Sequence, residues 1–222
     1  MFKREIDEVF HRMMRQNPYK FVANGYHDFL GRRLELSYKS EVLDNFIFHL
    51  RKREFGGKAI MDVGCGTGDV GDYFHEKGFR TINVDISEEA LRLNNSKKEL
   101  IQSTLMHNPL KNDSVAGIHV KDVIVHVPDK RSMLEEFERL LIPGGVVCIT
   151  TAELAGIPFK IEGLPYFSTK AKNIIELAHQ AGLDLVSFGG WTPYEREFDW
   201  YREEYMPRNV LMFSKKKSGI YT

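Results

Sequence analysis

Between Ala59 and Gly71 the chain reads AIMDVGCGTGDVG, and this stretch restricts the possible folds more than any other. Ala59 to Val63 is a short apolar run bounded by turn residues, the pattern of a buried parallel strand, and it carries a single charge, Asp62. Four glycines follow, Gly64, Gly66, Gly68 and Gly71, spaced so that the backbone can take positive φ and approach a ligand closely. Val70, Tyr73 and Phe74 then form the apolar side of a helix. Its first turn would aim free N–H groups and a positive dipole end at the loop. Strand, glycine turn and helix together predict a nucleotide cradle. Four glycines in eight positions cost chain entropy that a plain β-to-α turn does not require.

From the loop onward strands and helices alternate, the signature of a parallel sheet covered on both faces. Arg80 to Ile86 reads as a second strand ending near Asp85, with Ser87-Glu88-Glu89 capping the next helix. Leu100 to Leu105 and Ala116 to Val120 are the third and fourth strands. Asp129 caps a helix whose buried face is Met133, Leu134, Phe137, Leu140 and Leu141. Ile142-Pro143-Gly144-Gly145 turns into strand five, Val146 to Thr151. An insertion rich in Gly, Pro and aromatics, residues 152–167, precedes a helix capped by Ser168-Thr169 and stopped by Gly182. Leu183 to Phe188 and Val210 to Ser214 are the last two strands. Ahead of the cradle, Phe2, Ile6, Val9, Phe10, Met13 and Met14 recur at helical spacing until Asn17-Pro18. A second helix buries Val42, Leu43, Phe46, Ile47 and Leu50, with Ser40 as its N-cap.

Gly66, Gly68 and Gly71 also satisfy the GxGxxG spacing of dinucleotide-binding domains. Asp62, however, sits where a dinucleotide strand would continue apolar, and the tighter register Gly64, Gly66, Gly68 follows at once. That register, D-V-G-C-G-T-G, resembles motif I of the class I S-adenosylmethionine (SAM) dependent methyltransferases. The L-x-P-G-G turn beginning at Leu141 and the closing strand pair resemble the same family, and the resemblance extends over about residues 40–215.

The resemblance implies an α/β fold of three layers: a doubly wound, seven-stranded, mostly parallel sheet, its last strand antiparallel and inserted between strands five and six. It also implies residues 1–55 as an N-terminal helical cap over the substrate, and 56–222 as the SAM-binding domain with insertions 152–167 and 190–208. Its cofactor would be SAM. Asp62, Gly64, Cys65, Gly66, Thr67 and Gly68 would hold the methionine end and Asp85 the ribose, with Ile86 and Lys121 lining the same site. Where the family places an acid after strand three to meet adenine, this chain has Ser103 or Thr104, so a hydroxyl or the Leu105 amide takes over.

SAM brings its own leaving group, so the protein's task is chiefly to align a nucleophile and exclude water. Asp122 and His126, just past strand four, are the candidates for catalysis. A histidine can exchange protons near neutral pH, and the same residue could instead form part of the cofactor wall, as Asp122 could orient it. These readings predict methylation of a small metabolite at O or N. A methyltransferase of RNA or DNA bases is the second reading. It is disfavoured by 31 Lys plus Arg against 31 Asp plus Glu, and by the lack of an N-P-P-Y-type motif after strand four. A SAM- or nucleotide-binding module without turnover is the third.

Cys65 and Cys148 fit neither a metal spacing nor a disulfide framework, so no metal is expected. No stretch approaches the ~18 to 20 apolar residues of a membrane span, and MFKREIDEVF lacks the apolar centre of a signal peptide, which predicts a cytoplasmic protein. Between the last two strands, Trp191, Tyr194, Phe198, Trp200, Tyr201 and Tyr205 lie among five acids. The plain expectation there is a short helix with Phe198, Tyr201 and Tyr205 on one face. The sharper one is a wall for an amine-bearing acceptor, drawn in by cation-π attraction.

Overall fold

The computed structural model describes residues 38–52, 55, 57–94, 99–152, 167, 169–191, 199–200 and 208–216. The helix expected over residues 1–16, most of the insertion 152–167 and most of the aromatic stretch 190–208 lie outside them.

The strands are β1 (Ala59–Val63), β2 (Thr81–Asp85), β3 (Glu99–Gln102), β4 (Val115–Lys121), β5 (Leu141–Ala152), β6 (Leu183–Trp191), β7 (Asp199–Trp200) and β8 (Arg208–Lys215). They form one sheet in the order β3-β2-β1-β4-β5-β8-β6-β7. The pairs from β3 through β5 are parallel, and β8 runs antiparallel to both β5 and β6. This is the predicted seven-stranded arrangement with its last long strand inserted between the fifth and sixth. A two-residue strand, β7, pairs antiparallel with Gly189 and Gly190 at the β6 edge, so Asp199 and Trp200 are extended rather than helical.

Helices α1 (Asp44–Arg51), α2 (Asp69–Glu76), α3 (Glu88–Leu93), α4 (Lys130–Leu140) and α5 (Ala171–Gln180) complete the layers. The two-residue period of the strands sorts the core. Ala59, Met61 and Val63 of β1 pack with Met133, Leu134 and Phe137 of α4 and Ile174 of α5. Ile60 faces the other way, toward Phe46 and Leu50 of α1 and Phe74 of α2. Val42, Leu43, Phe46, Ile47 and Leu50, from the stretch assigned to the cap, share this core cluster with Ile60 and so pack on one face of the sheet. All five apolar residues predicted for this helix are buried.

Local departures from the sequence reading have packing causes. A π-helical turn, Tyr38–Leu43, leads into α1, so Ser40 lies within that turn and Leu43, not Ser40, is the residue that precedes α1. Burial of Val42 and Leu43 against the sheet sets that start. Helix α5 begins at Ala171 behind Lys170, without the side-chain cap expected from Ser168-Thr169, because its buried face begins at Ala171. Pro143-Gly144-Gly145 is a bulge inside β5 rather than a turn before it. Val115 pairs with Leu141 while Gly117 pairs with Val146. The third strand stops at Gln102, which leaves Thr104 and Leu105 in the loop beyond it. Ser87 and Asp129 cap α3 and α4 as expected, accepting from Ala90 N–H and Ser132 N–H.

Candidate functional site

Strand order reverses between β1 and β4, the switch point of a doubly wound sheet, and ligands of such sheets bind outside the carboxyl ends of the strands there. The carboxyl-terminal ends of β1, β2 and β4 and the loops after β1, β2, β3 and β4 carry every site residue expected from the sequence.

The glycine loop after β1 is tied to β2 at both of its first two amides, since Gly64 and Cys65 N–H donate to the Val84 carbonyl at 2.8 and 3.1 Å. Gly64 is in contact with the loop after β4: a Cβ built on it would lie 2.2 Å from Val123 Cγ2. Gly66 differs. Its φ is +52°, and a Cβ there would meet nothing within 4 Å among the described residues. The loop is thus packed at its entry and open at its middle, beside half-buried Cys65 and Thr67.

Asp85 at the end of β2 fastens that open middle. Its carboxylate accepts from Gly66 N–H at 2.9 Å and from Ser87 N–H at 2.8 Å, so one side chain joins the glycine loop to the α3 cap. Burial, foremost, holds the carboxyl above its ordinary range, with the charge of Asp62 adding to the effect and the N–H groups of Ser87 and Gly66 opposing it. Asp62 is buried at the end of β1. Its Oδ1 lies 2.8 Å from His119 Nδ1, while Oδ2 is buried with no hydrogen-bond partner among the described residues. Asp62 also raises the Cys65 thiol, behind burial as the main cause. Cys65 therefore stays protonated and is no nucleophile. Buried Cys148 is likewise held as a thiol by burial.

Beyond β3, Ser103 N–H donates to the Asp85 carbonyl, and its hydroxyl donates to the His107 and Thr104 carbonyls. Thr104 Oγ1, by contrast, is buried without a partner among the described residues. Of the two hydroxyls considered for adenine, Thr104 is the one left to accept or donate. Ile86 and Leu105 are half-buried nearby in chain order, and the Ile86 carbonyl accepts from Gln102 Nε2.

After β4, Lys121 and Asp122 are half-buried, and Asp122 takes φ +56°, uncommon outside glycine. Its N–H donates to the Thr150 carbonyl of β5, which fixes this turn. Ile124–His126 is a single 3₁₀ turn that presents His126 half-buried. Sequence reasoning missed three contributors. Asn94 donates to Cys65 Sγ at 3.8 Å and braces the glycine loop from behind. His119 partners Asp62. Lys130, at the start of α4, is buried and donates to the carbonyls of Val127 and Phe167. A signal for His119 did exist, because Asp62 and His119 interrupt adjacent apolar strands at directly paired positions.

Burial lowers the pKa of Lys130 to about 8. Unfolded, the same lysine stays protonated to about 10.4. Between those values the unfolded chain binds more protons, so this lysine's burial cost is full below pH 8 and fades as pH rises toward 10. The expected result is that wild type gains on the order of 2 kcal/mol over Lys130→Met between pH 7 and pH 9.5. Urea unfolding of both proteins at the two pH values checks this, and a constant difference would contradict it.

Two carboxylates border the loop, Asp62 and Asp85, and each acts electrostatically on the pocket's other groups. Such a site repels a pyrophosphate and attracts a cation. SAM, with its sulfonium and α-ammonium, fits this charge, the open ground over Gly66, and the unsatisfied Asp62 Oδ2 and Thr104 Oγ1; a dinucleotide's pyrophosphate does not. Among the described residues no group of three or more His, Cys, Asp or Glu is gathered to hold a metal ion, and no helix is long and apolar enough to cross a membrane.

Residues 61–149 match a family model described as a methyltransferase domain. Over 115 residues the chain is 27% identical to the ubiquinone biosynthesis O-methyltransferase of Psychrobacter arcticus, covering 46% of this chain and 45% of that protein. It is 32% identical over 123 residues to the demethylmenaquinone methyltransferase of Oceanobacillus iheyensis, covering 50% of this chain and 52% of that protein. The chain thus spans about half the length of these curated relatives. The crystal structure of a SAM-dependent methyltransferase from Archaeoglobus fulgidus superposes with a TM-score of 0.69 at 17% identity, covering 89% of this chain and all of that one, a likeness of fold.

Proposed function

We propose that this chain, which belongs to the class I SAM-dependent methyltransferase family, transfers a methyl group to an oxygen or nitrogen of a small molecule. The observation that carries the reading is the anionic glycine cradle, in which Asp62 and Asp85 border a loop whose middle glycine is open to a ligand. When bound, SAM supplies a methyl group on a positively charged sulfur. The residues assigned to hold it are Asp62, Gly64, Cys65, Gly66, Thr67 and Gly68 at its amino-acid end, Asp85 and Ile86 at the ribose, and Thr104, Leu105 and Lys121 around the rest.

The chain's own contribution is alignment and exclusion of water, which can lower a barrier by about 7 to 11 kcal/mol. Asp122 and His126 stand on the loop that touches Gly64 through Val123, which supports assigning them to the acceptor side of the site. His126 is assigned to take the proton of the acceptor and Asp122 to orient it. Oxygen is the favoured acceptor, supported by relatives named as O-methyltransferases of ubiquinone biosynthesis and of malonyl-[acyl-carrier protein].

The direct test uses SAM labelled in its methyl group with a panel of phenols, amines, carboxylic acids and bulk tRNA. Labelled small hydroxyl or amine acceptors are expected, and label confined to tRNA would overturn the reading. For His126→Ala, kcat is expected to fall about 100-fold or more with the affinity for the demethylated product, S-adenosylhomocysteine, unchanged. Lost affinity with turnover kept at saturating SAM would assign His126 to the cofactor wall instead.

A further inference from the structure

His119 has no place in the chemistry described so far, yet its surroundings are specific. It lies in β4 directly beside Asp62 in the parallel register, fully buried, on the sheet face that packs α1 and α2. Phe74 meets its ring edge-on at 5.7 Å between centroids, and Phe46 lies at 6.4 Å. The ring therefore cannot swing away without opening the core. Its Nδ1 faces Asp62 Oδ1 at 2.8 Å, and Asp62 itself is 3% exposed.

A carboxylate that deep needs partners for both oxygens, because an unsatisfied buried acceptor costs about 1 to 3 kcal/mol and a charged one more. Here one oxygen is satisfied and the other has no hydrogen-bond partner among the described residues. The satisfied oxygen is held by a rigid ring, so the carboxylate plane is fixed and Oδ2 is the atom left for a cationic donor. Asp62 sits two residues ahead of Gly64, and its charge reaches both Cys65 and Asp85, which puts that oxygen in electrostatic range of the open loop.

We propose that His119 is a positioning residue for the cofactor: it occupies Oδ1 of Asp62 with its Nδ1–H so that Oδ2 is held ready for the α-ammonium of the cofactor's amino-acid end. This rests on the SAM reading above and assigns His119 no contact with the cofactor. The role is selective by chemistry. It acts on ligands that carry the ammonium and is silent toward those that share only the adenosine and sulfur.

The experiment measures calorimetric affinities for S-adenosylhomocysteine, which has the ammonium, and 5′-methylthioadenosine, which lacks it. In His119→Phe the first is expected to weaken about tenfold and the second to stay unchanged. His119→Asn, whose amide nitrogen can stand where Nδ1 stood, is expected to restore the first to within about threefold. Equal weakening of both ligands, or no weakening of either, would overturn the proposal while leaving the SAM reading intact. Failure of the wild-type chain to bind S-adenosylhomocysteine would overturn both. Should His119→Phe not fold, His119→Gln replaces it: its amide sits at the position of Nε2, so it is expected to lose the preference that His119→Asn keeps, and equal preference in the two would count against the role.

Discussion

Gly66→Val is expected to raise the dissociation constant for S-adenosylhomocysteine at least 100-fold, about 2.7 kcal/mol, while leaving a folded protein. At φ +52° a β-branched residue is strained by roughly 1 to 2 kcal/mol. Among the described residues a Cβ there meets no atom within 4 Å, so the strain of the backbone is the main cost to the fold. The branched side chain would fill the space assigned to ligand. Gly64→Val supplies the contrast. Its Cβ would stand 2.2 Å from Val123 Cγ2, so the variant must part the loops after β1 and β4 before any ligand arrives. Thermal melting separates the two: a fall of no more than about 8 °C for Gly66→Val and a markedly larger one for Gly64→Val. Retained affinity in a folded Gly66→Val protein would show that ligand does not lie over the loop.

Asp85→Ala is expected to weaken cofactor binding by about 1.5 to 3 kcal/mol and also to lower the melting temperature, on the order of 5 to 10 °C. The second effect follows from the structure, since Gly66 N–H and Ser87 N–H would both lose their acceptor. Asp85→Asn retains an accepting oxygen without the charge, and should recover much of the stability and little of the affinity. The acid's raised pKa gives a further check. The folded chain takes up this proton at a higher pH than the unfolded chain does, so acidification through that value adds stability from this group. The same step removes the charge of the acceptor assigned to the ribose. Affinity should therefore decline on acidification before the fold is lost, and affinity that does not change on acidification, with Asp85→Ala also neutral, would remove Asp85 from the site.

The strand-turn-helix at 59–76 and the order of the strands were legible because both rest on short-range signals: apolar runs, glycine spacing and caps such as Ser87 and Asp129. Position in the sheet followed from the resemblance at motif I. What local pattern could not carry is what depends on cross-strand neighbours. In the sequence His119 is one polar residue in an apolar strand, and its pairing with Asp62 shows only in the register. Lys130 is one charge in a first helical turn, and its contact with the Phe167 carbonyl joins residues distant in sequence. The sequence offers Asp85 as a candidate ligand acceptor, whereas its grip on Gly66 and Ser87 requires the loop's three-dimensional path. The bulge at Pro143-Gly144-Gly145 was hidden for a similar reason: the same residues make a good turn, and only pairing of Val115 and Gly117 across to β5 draws them into a strand.

The place of β8 in the sheet bears on how the chain acquires its shape during synthesis. β5 and β6 are not neighbours in the sheet; each pairs with β8, whose Val210, Leu211, Met212 and Phe213 are fully buried. A nascent chain released only as far as residue 207 would present two unsatisfied strand edges and a gap in both core clusters. The half of the sheet from β3 to β5 can assemble in order of appearance, whereas the other half must wait for the last long strand to thread between its neighbours. Such late, long-range pairing is slow and leaves apolar edges exposed meanwhile. Released chains ending near residues 150, 207 and 216 should accordingly show protease resistance rising once around the β1–β4 core and again only when β8 is present.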